Sequence, residues 1–158
     1  MCGIAGILTD GAPVPRQRLL AMRRALVHRG PNGQGVWIGR RLGLVHTRLA
    51  IIDLSDAAAQ PMVSADGRFV VCYNGEIYNY RELRSELERR GCVFRTCSDT
   101  EVLLCGFAVC GPAFFARLEG MYAAALWDGT QLILVRDRFG MKPLFYARLE
   151  NGVAFGSE

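Results

Sequence analysis

A chain of 158 residues is long enough to form one domain with a sizeable core, and 51% hydrophobic against 22% charged residues is the balance of a soluble globular protein. No apolar run approaches the roughly 20 residues of a membrane span, and Asp10 and Pro13 break the first apolar run where a signal peptide would need it intact. No membrane association is expected, and the cytoplasm is the expected compartment. The net charge of +4 is spread along the chain rather than gathered into a basic stripe with interleaved aromatics, so no nucleic-acid partner is expected.

Ile4 to Leu8 reads as a buried strand, ended by Asp10-Gly11 and Pro13-Val14-Pro15. Arg16 to His28 carries Leu19, Met22 and Leu26 at helical spacing with arginines on the other side, an amphipathic helix. The glycine-rich run Arg29 to Gly35 lacks the Lys-Ser/Thr of a phosphate loop and reads as a loop shaped for a substrate. Strands are expected at Val36–Ile38, Leu42–Thr47, Leu49–Leu54 and Phe69–Tyr73, with a further extended piece from Pro61. Asn79 to Glu82 has the residues of a capping box for a helix to Arg90, and Ser98 to Glu101 those of a second, whose helix stops at Gly111-Pro112. Val93–Thr96 reads as a strand, and Ala113–Leu118 as a short helix. Met121–Trp127, Gln131–Arg136, Leu144–Arg148 and Val153–Phe155 are strands joined at Asp128-Gly129, Phe139-Gly140 and Asn151-Gly152, which predicts consecutive hairpins. The fold class is therefore α+β, with antiparallel sheets covered by three main helices.

The chemistry gathers at the first residues, Met1-Cys2-Gly3-Ile4-Ala5-Gly6. Removal of Met1 leaves Cys2 with a thiol and its own α-amine, whose ordinary pKa values of about 8.5 and about 7.7–8.0 let the amine take the thiol proton near neutrality. Gly3 and Gly6 leave the backbone bare for a substrate. Position alone favours a small buried cysteine opening a strand, and the later residues have to reverse that preference. The six cysteines include no Cys-x-x-Cys pair and are expected to be reduced thiols. His28 and His46 show no ligand-like spacing, so no metal site is expected.

Three polar positions sit at junctions where functional groups are displayed: Arg48, Asn74-Gly75-Glu76 and Asp99. For a free amino acid with a side-chain carbonyl, Arg48 would fork onto the α-carboxylate, and Asp99 and Glu76 would accept the α-ammonium. The Asn74 amide and the Gly75 N–H would form an oxyanion hole. Each has a plain alternative as a surface charge, a turn or a helix start.

Cys2-Gly3-Ile4-Ala5-Gly6, His28-Arg29-Gly30-Pro31, Arg48-Leu49-Ala50-Ile51-Ile52-Asp53-Leu54, Asn74-Gly75-Glu76-Ile77-Tyr78-Asn79, Ser98-Asp99-Thr100-Glu101 and Arg136-Asp137-Arg138-Phe139-Gly140 occur in this order. Together they resemble the glutaminase domain of class II glutamine amidotransferases, of the glutamine-hydrolysing asparagine synthetase type. The resemblance implies a four-layer αββα sandwich of two antiparallel sheets, the N-terminal nucleophile (Ntn) hydrolase fold. It makes Cys2 the nucleophile and Asn74 and Gly75 the oxyanion hole. Arg48 then holds the carboxylate of L-glutamine, the backbone of Leu49, Ala50, Ile51 and Ile52 lines the pocket, and Glu76 and Asp99 meet the amino end. Asn32, where the family usually has aspartate, and Thr47, where it often has arginine or another polar residue, depart from its pattern beside the motifs.

By the same resemblance, residues 1–158 are a glutaminase domain cut short at its C-terminal end, without the ATP-dependent synthetase domain that receives the ammonia. No cofactor is expected for this domain, since ATP and Mg²⁺ would belong to the synthetase. A homodimer is left open. The rival expectation is a catalytically silent glutamine-binding or assembly domain.

Overall fold

The computed structural model describes all 158 residues. In chain order the elements are β1 (Gly3–Thr9), α1 (Arg16–Ala25), β2 (Gly33–Ile38), β3 (Leu42–Arg48), β4 (Met62–Val63), β5 (Val70–Ile77), α2 (Tyr80–Arg89), α3 (Asp99–Cys110), β6 (Gly120–Trp127), β7 (Leu132–Arg136), β8 (Phe145–Leu149) and β9 (Gly152–Gly156). Short 3₁₀ turns lie at Val27–Arg29, Asp56–Ala58 and Gly111–Arg117. One sheet has the order β2-β3-β1-β9-β8 and the other β4-β5-β6-β7, with every pairing within them antiparallel.

Side-chain alternation along the strands builds the layers. On β5, Val70 and Cys72 meet Ile4, Leu42, Leu44 and Phe155 of the other sheet, which makes the central core. Val71, Tyr73 and Ile77 point the opposite way, onto Leu83 and Leu87 of α2 and Val102 and Leu103 of α3. Leu19 of α1 packs with Ala5, Ile7 and Val45 on the outer face of the first sheet. The result is the expected αββα sandwich. By length and composition alone Asp99–Arg117 could cross a membrane, but it is a 12-residue α-helix followed by a 3₁₀ turn, and half of the stretch is buried inside the protein. The apolarity of α3 serves the core.

Of four local expectations, three are corrected and one holds. Leu49–Leu54 forms no strand, because the partners of β3 run out: Thr47 faces Gly3 at the start of β1, and Arg48 faces Gly33 at the start of β2. Val93–Thr96 forms none either, because the Glu101 carboxylate takes the Arg95 N–H (3.0 Å) and Thr96 N–H (2.7 Å) that a ladder would need. Ser98 does cap α3, its Oγ accepting from Glu101 N at 3.2 Å. Asn79 makes no side-chain cap for α2. Its amide instead donates to Arg117 O (2.9 Å) and accepts from Glu119 N (3.1 Å), tying the helix start to the chain entering β6.

The turn at Phe139-Gly140 is not a hairpin. It carries the chain from β7 in one sheet to β8 in the other. The Asp137 carboxylate shapes this crossing by accepting from Phe139 N, Met141 N and Lys142 N at 3.0–3.1 Å.

Candidate active site

A cavity of about 100 Å³ opens where β1 begins and β5 ends. Every site residue that the resemblance implies lines it: Cys2, Arg48, the run Leu49, Ala50, Ile51 and Ile52, then Asn74, Gly75 and Glu76, and Asp99.

Cys2 is half-buried immediately before β1. Its Sγ accepts from Leu49 N at 3.3 Å and lies 3.5 Å from Leu49 O. Burial pushes the thiol pKa up, and Asp99 adds to that. The Leu49 amide, the chain's amino terminus and Arg48 pull it down without cancelling it. A thiol so placed needs a base to become a thiolate at neutral pH. Arg29 Nε holds the Cys2 carbonyl at 3.0 Å, and Arg29 Nη1 is paired with Glu158 at 2.7 Å.

Gly3 and Gly6 do not bare the backbone for a ligand, as the sequence suggested. A Cβ on Gly3 would lie 2.6 Å from Thr47 Oγ1, and one on Gly6 2.6 Å from the Phe155 ring. They permit close packing. The run Arg29 to Gly35 likewise lines no part of the cavity. It supports the site from behind, through Arg29 and through Asn32 Oδ1, which accepts from Ala50 N at 3.1 Å.

Asn74 and Gly75 lie inside β5 rather than in a turn after it. Asn74 is 2% exposed, and its Nδ2 is a buried donor with no hydrogen-bond partner. Such orphans are rare and costly in folded proteins. Gly75 faces Tyr122, whose N–H and C=O both bond to Asp137, so the Gly75–Tyr122 pair is not a hydrogen-bonded one. The Gly75 N–H therefore points to the other edge of β5, in line with those of Tyr73 and Ile77. Gln60 Oε1 takes Tyr73 N at 2.6 Å, and Asp99 Oδ2 takes Ile77 N at 3.0 Å. Between these two capped amides, the Gly75 N–H is a second donor at the cavity edge. A Cβ here would lie 2.4 Å from Met121 O, so the position requires glycine.

Asp99, 5% exposed, is the first residue of α3. Burial pushes its carboxyl pKa up, while Ile77 N–H, the Tyr73 hydroxyl and the helix-start amides pull the other way. Arg48 donates from Nη1 to Ser55 O (2.9 Å) and from Nη2 to Asp53 O (2.5 Å). A ligand carboxylate would meet this fork only as those carbonyls give way. The loop they belong to is also tethered by Cys97 N donating to Asp53 Oδ2 at 2.7 Å.

Sequence reasoning missed Tyr73, Gln60 and Lys142, which also line the cavity. Tyr73 reads as one more apolar residue of a buried strand, although its place directly before Asn74 is a signal. Lys142, 8% exposed, reaches the site from the crossing turn and places its Nζ 3.3 Å from Met1 Sδ. Its signal was the motif Arg136 to Gly140 just ahead of it, part of the resemblance but without a role of its own.

A cysteine at position 2 that shares its cavity with the Asn74 and Gly75 donors, inside an αββα sandwich, is the arrangement of an amidotransferase domain, and the comparisons agree. The glutamine amidotransferase domain family matches residues 1–158, and the chain belongs to it. It is 40% identical to asparagine synthetase [glutamine-hydrolyzing] 2 of Bacillus subtilis, over 100% of this chain and 22% of that protein. It is 38% identical to asparagine synthetase B [glutamine-hydrolyzing] of Escherichia coli K12, over 96% of this chain and 28% of that protein. The chain thus spans about a quarter of the length of these relatives. Among solved structures, the glutamine phosphoribosylpyrophosphate amidotransferase of B. subtilis superposes with a TM-score of 0.83 at 23% identity, over 99% of this chain and 42% of that one. At that identity the likeness speaks for the fold.

Proposed function

We propose that this chain hydrolyses L-glutamine to glutamate and ammonia once Met1 is removed, and that the ammonia passes to an ATP-dependent synthetase domain or chain, as in the asparagine synthetases it resembles. One observation carries the reading: Cys2 shares its cavity with two hydrogen-bond donors, the orphaned Asn74 Nδ2 and the Gly75 N–H that the register turns away from β6.

The Cys2 α-amine takes the thiol proton, and the thiolate attacks the side-chain amide carbon of glutamine. Charge develops on the carbonyl oxygen, where donors of the Asn74 and Gly75 kind are each worth about 3–4 kcal/mol. The ammonium of Cys2 returns the proton to the leaving nitrogen, ammonia departs, and a γ-glutamyl thioester remains. Water, deprotonated by the same amine, attacks that thioester and releases glutamate with the thiol restored. Arg48 binds the α-carboxylate, and Asp99 with Glu76 binds the α-ammonium. These steps require no cofactor; ATP and Mg²⁺ would act in the synthetase. The cytoplasm is the proposed compartment.

A glutaminase assay on mass-verified protein lacking Met1 tests the proposal. Glutamate release at saturable rates is expected. Glutamine binding without release would favour the silent binding or assembly domain instead.

A further inference from the structure

The Asp99 carboxylate is buried without a cation. No basic side chain forms an ion pair with it, and burial penalises its charge. Its support comes from neutral donors: Ile77 N at 3.0 Å and the Tyr73 hydroxyl at 2.8 Å, both on Oδ2, with the helix-start amides of Asp99 and Thr100 contributing. The backbone donors are fixed by β5 and α3. Tyr73 is the only side chain among them.

We propose that Tyr73 is a positioning residue for substrate recognition: its hydroxyl holds the Asp99 carboxylate in place and in its charged form, ready for a substrate ammonium. This rests on the reading that Asp99 receives the amino end of glutamine.

Three observations support it. Tyr73 is itself fixed, since Gln60 Oε1 accepts its N–H at 2.6 Å, His46 Nε2 meets its carbonyl at 3.2 Å, and its ring sits in the core under α2 and α3. The hydroxyl stays a donor, because burial first and the Asp99 charge second hold its pKa well above the ordinary tyrosine value. Both the Tyr73 hydroxyl and the Ile77 N–H fall on Oδ2, so the carboxylate keeps acceptor capacity toward the cavity that both residues line.

The other charged or titratable groups facing this carboxylate are Glu76 on β5, the Cys2 thiol before β1, and Arg48 at the end of β3, while Lys142 enters the same cavity from the crossing turn. On α3 itself, Glu101 turns away to Arg95 and Thr96. All of these remain when the tyrosine hydroxyl alone is removed.

Tyr73→Phe keeps the ring and deletes the hydroxyl. Three readouts follow in chains lacking Met1: the ¹³C titration of the Asp99 carboxyl, KM and kcat for glutamine against pH, and the preference for glutamine over its des-amino analogue, 4-carbamoylbutanoate. The Asp99 midpoint is expected to move up by about one pH unit or more, because a hydrogen bond to a charged group is lost. The glutamine KM should rise roughly 10- to 100-fold below that midpoint, with kcat nearly unchanged and the preference for glutamine reduced. In an Asp99→Asn background, Tyr73→Phe should add little. An unmoved Asp99 titration overturns the proposal, and so does a fall in kcat with KM and the analogue preference unchanged. Should the parent chain turn over no glutamine, the proposed activity fails, and the titration still decides the link between Tyr73 and Asp99.

Discussion

The two sides of the cavity are built in opposite ways. On the β5–α3 side, Tyr73, Asn74 and Asp99 are 2%, 2% and 5% exposed and are locked by a strand ladder, a helix start and the core beneath. On the other side, Arg48 leads into the 49–55 loop, where Ile51 is 68% and Leu54 74% exposed and no ladder exists. A few tethers hold this loop: Asn32 to Ala50, Arg48 to the carbonyls of Asp53 and Ser55, and Cys97 to Asp53. Groups that must meet a developing charge at fixed distance belong on the rigid side. Groups that admit and grip the unreacting part of a substrate tolerate the loosely held side, since few buried contacts mean a low cost of local opening.

Substitutions can break that comparison. Cys2→Ala should have the largest effect, removing glutamine turnover while leaving the fold intact, as a thermal melt would show. A glutamine-like electrophile should label Cys2 and none of the other five cysteines. Label on exposed Cys97 instead would move the chemistry out of the cavity.

Next in size is Asn74→Ala on the rigid side, expected to lower kcat by about 10²–10³ with little change in KM. Because Asn74 Nδ2 has no partner to lose, stability should change little, which denaturant titration would check. Smaller effects belong to the loop. Arg48→Ala and Asp53→Ala should each raise KM roughly tenfold while kcat changes less. Asp53→Ala removes the acceptor of Ser55 N, Ser55 Oγ and Cys97 N, so its effect would come from the loop alone. Equal losses of kcat in Asn74→Ala and Asp53→Ala would erase the division between the two sides.

The smallest effect on turnover is expected from the histidines. His46 is 1% exposed, and burial holds its pKa at about 4, so the folded protein keeps it neutral at physiological pH. The unfolded chain takes up that proton near pH 6.5. Between pH 6.5 and about 4 the unfolded state binds more protons, so the stability present above pH 6.5 falls as pH falls, by up to ~3 kcal/mol near pH 4. In His46→Gln, stability measured over that window should lose most of this slope, and kcat at pH 7.5 should stay within a few-fold of the parent.

The cavity was legible from the sequence because its chemistry sits in short contiguous motifs whose residues keep their neighbours in the fold. Cys2 and Asn74-Gly75 are of this kind. The strand assigned to Leu49–Leu54 failed because local apolarity says nothing about whether a partner strand extends far enough. The parts played by Tyr73 and Gln60 were missed for a related reason. Gln60 acts by accepting the Tyr73 N–H at the edge of β5, and Tyr73 by bringing its hydroxyl to Asp99 on α3, both matters of long-range packing. Lys142 depended on a turn that joins the two sheets, where the Phe139-Gly140 pair had suggested a hairpin. Local turn chemistry fixed the bend, and long-range packing chose its destination.

The α-amine of Cys2, acting as base for its own thiol, is the step on which the proposed mechanism depends. The most direct measurement is glutamine turnover by the chain beginning at Cys2, compared with a chain in which an uncleavable residue precedes Cys2, both verified by intact mass. The extension turns the amine into an amide that accepts no proton, while the buried thiol remains. Turnover should fall by about 10²–10⁴-fold, the usual worth of general-base assistance. Full glutaminase activity in the extended chain would contradict the mechanism, even if Cys2 itself proved essential.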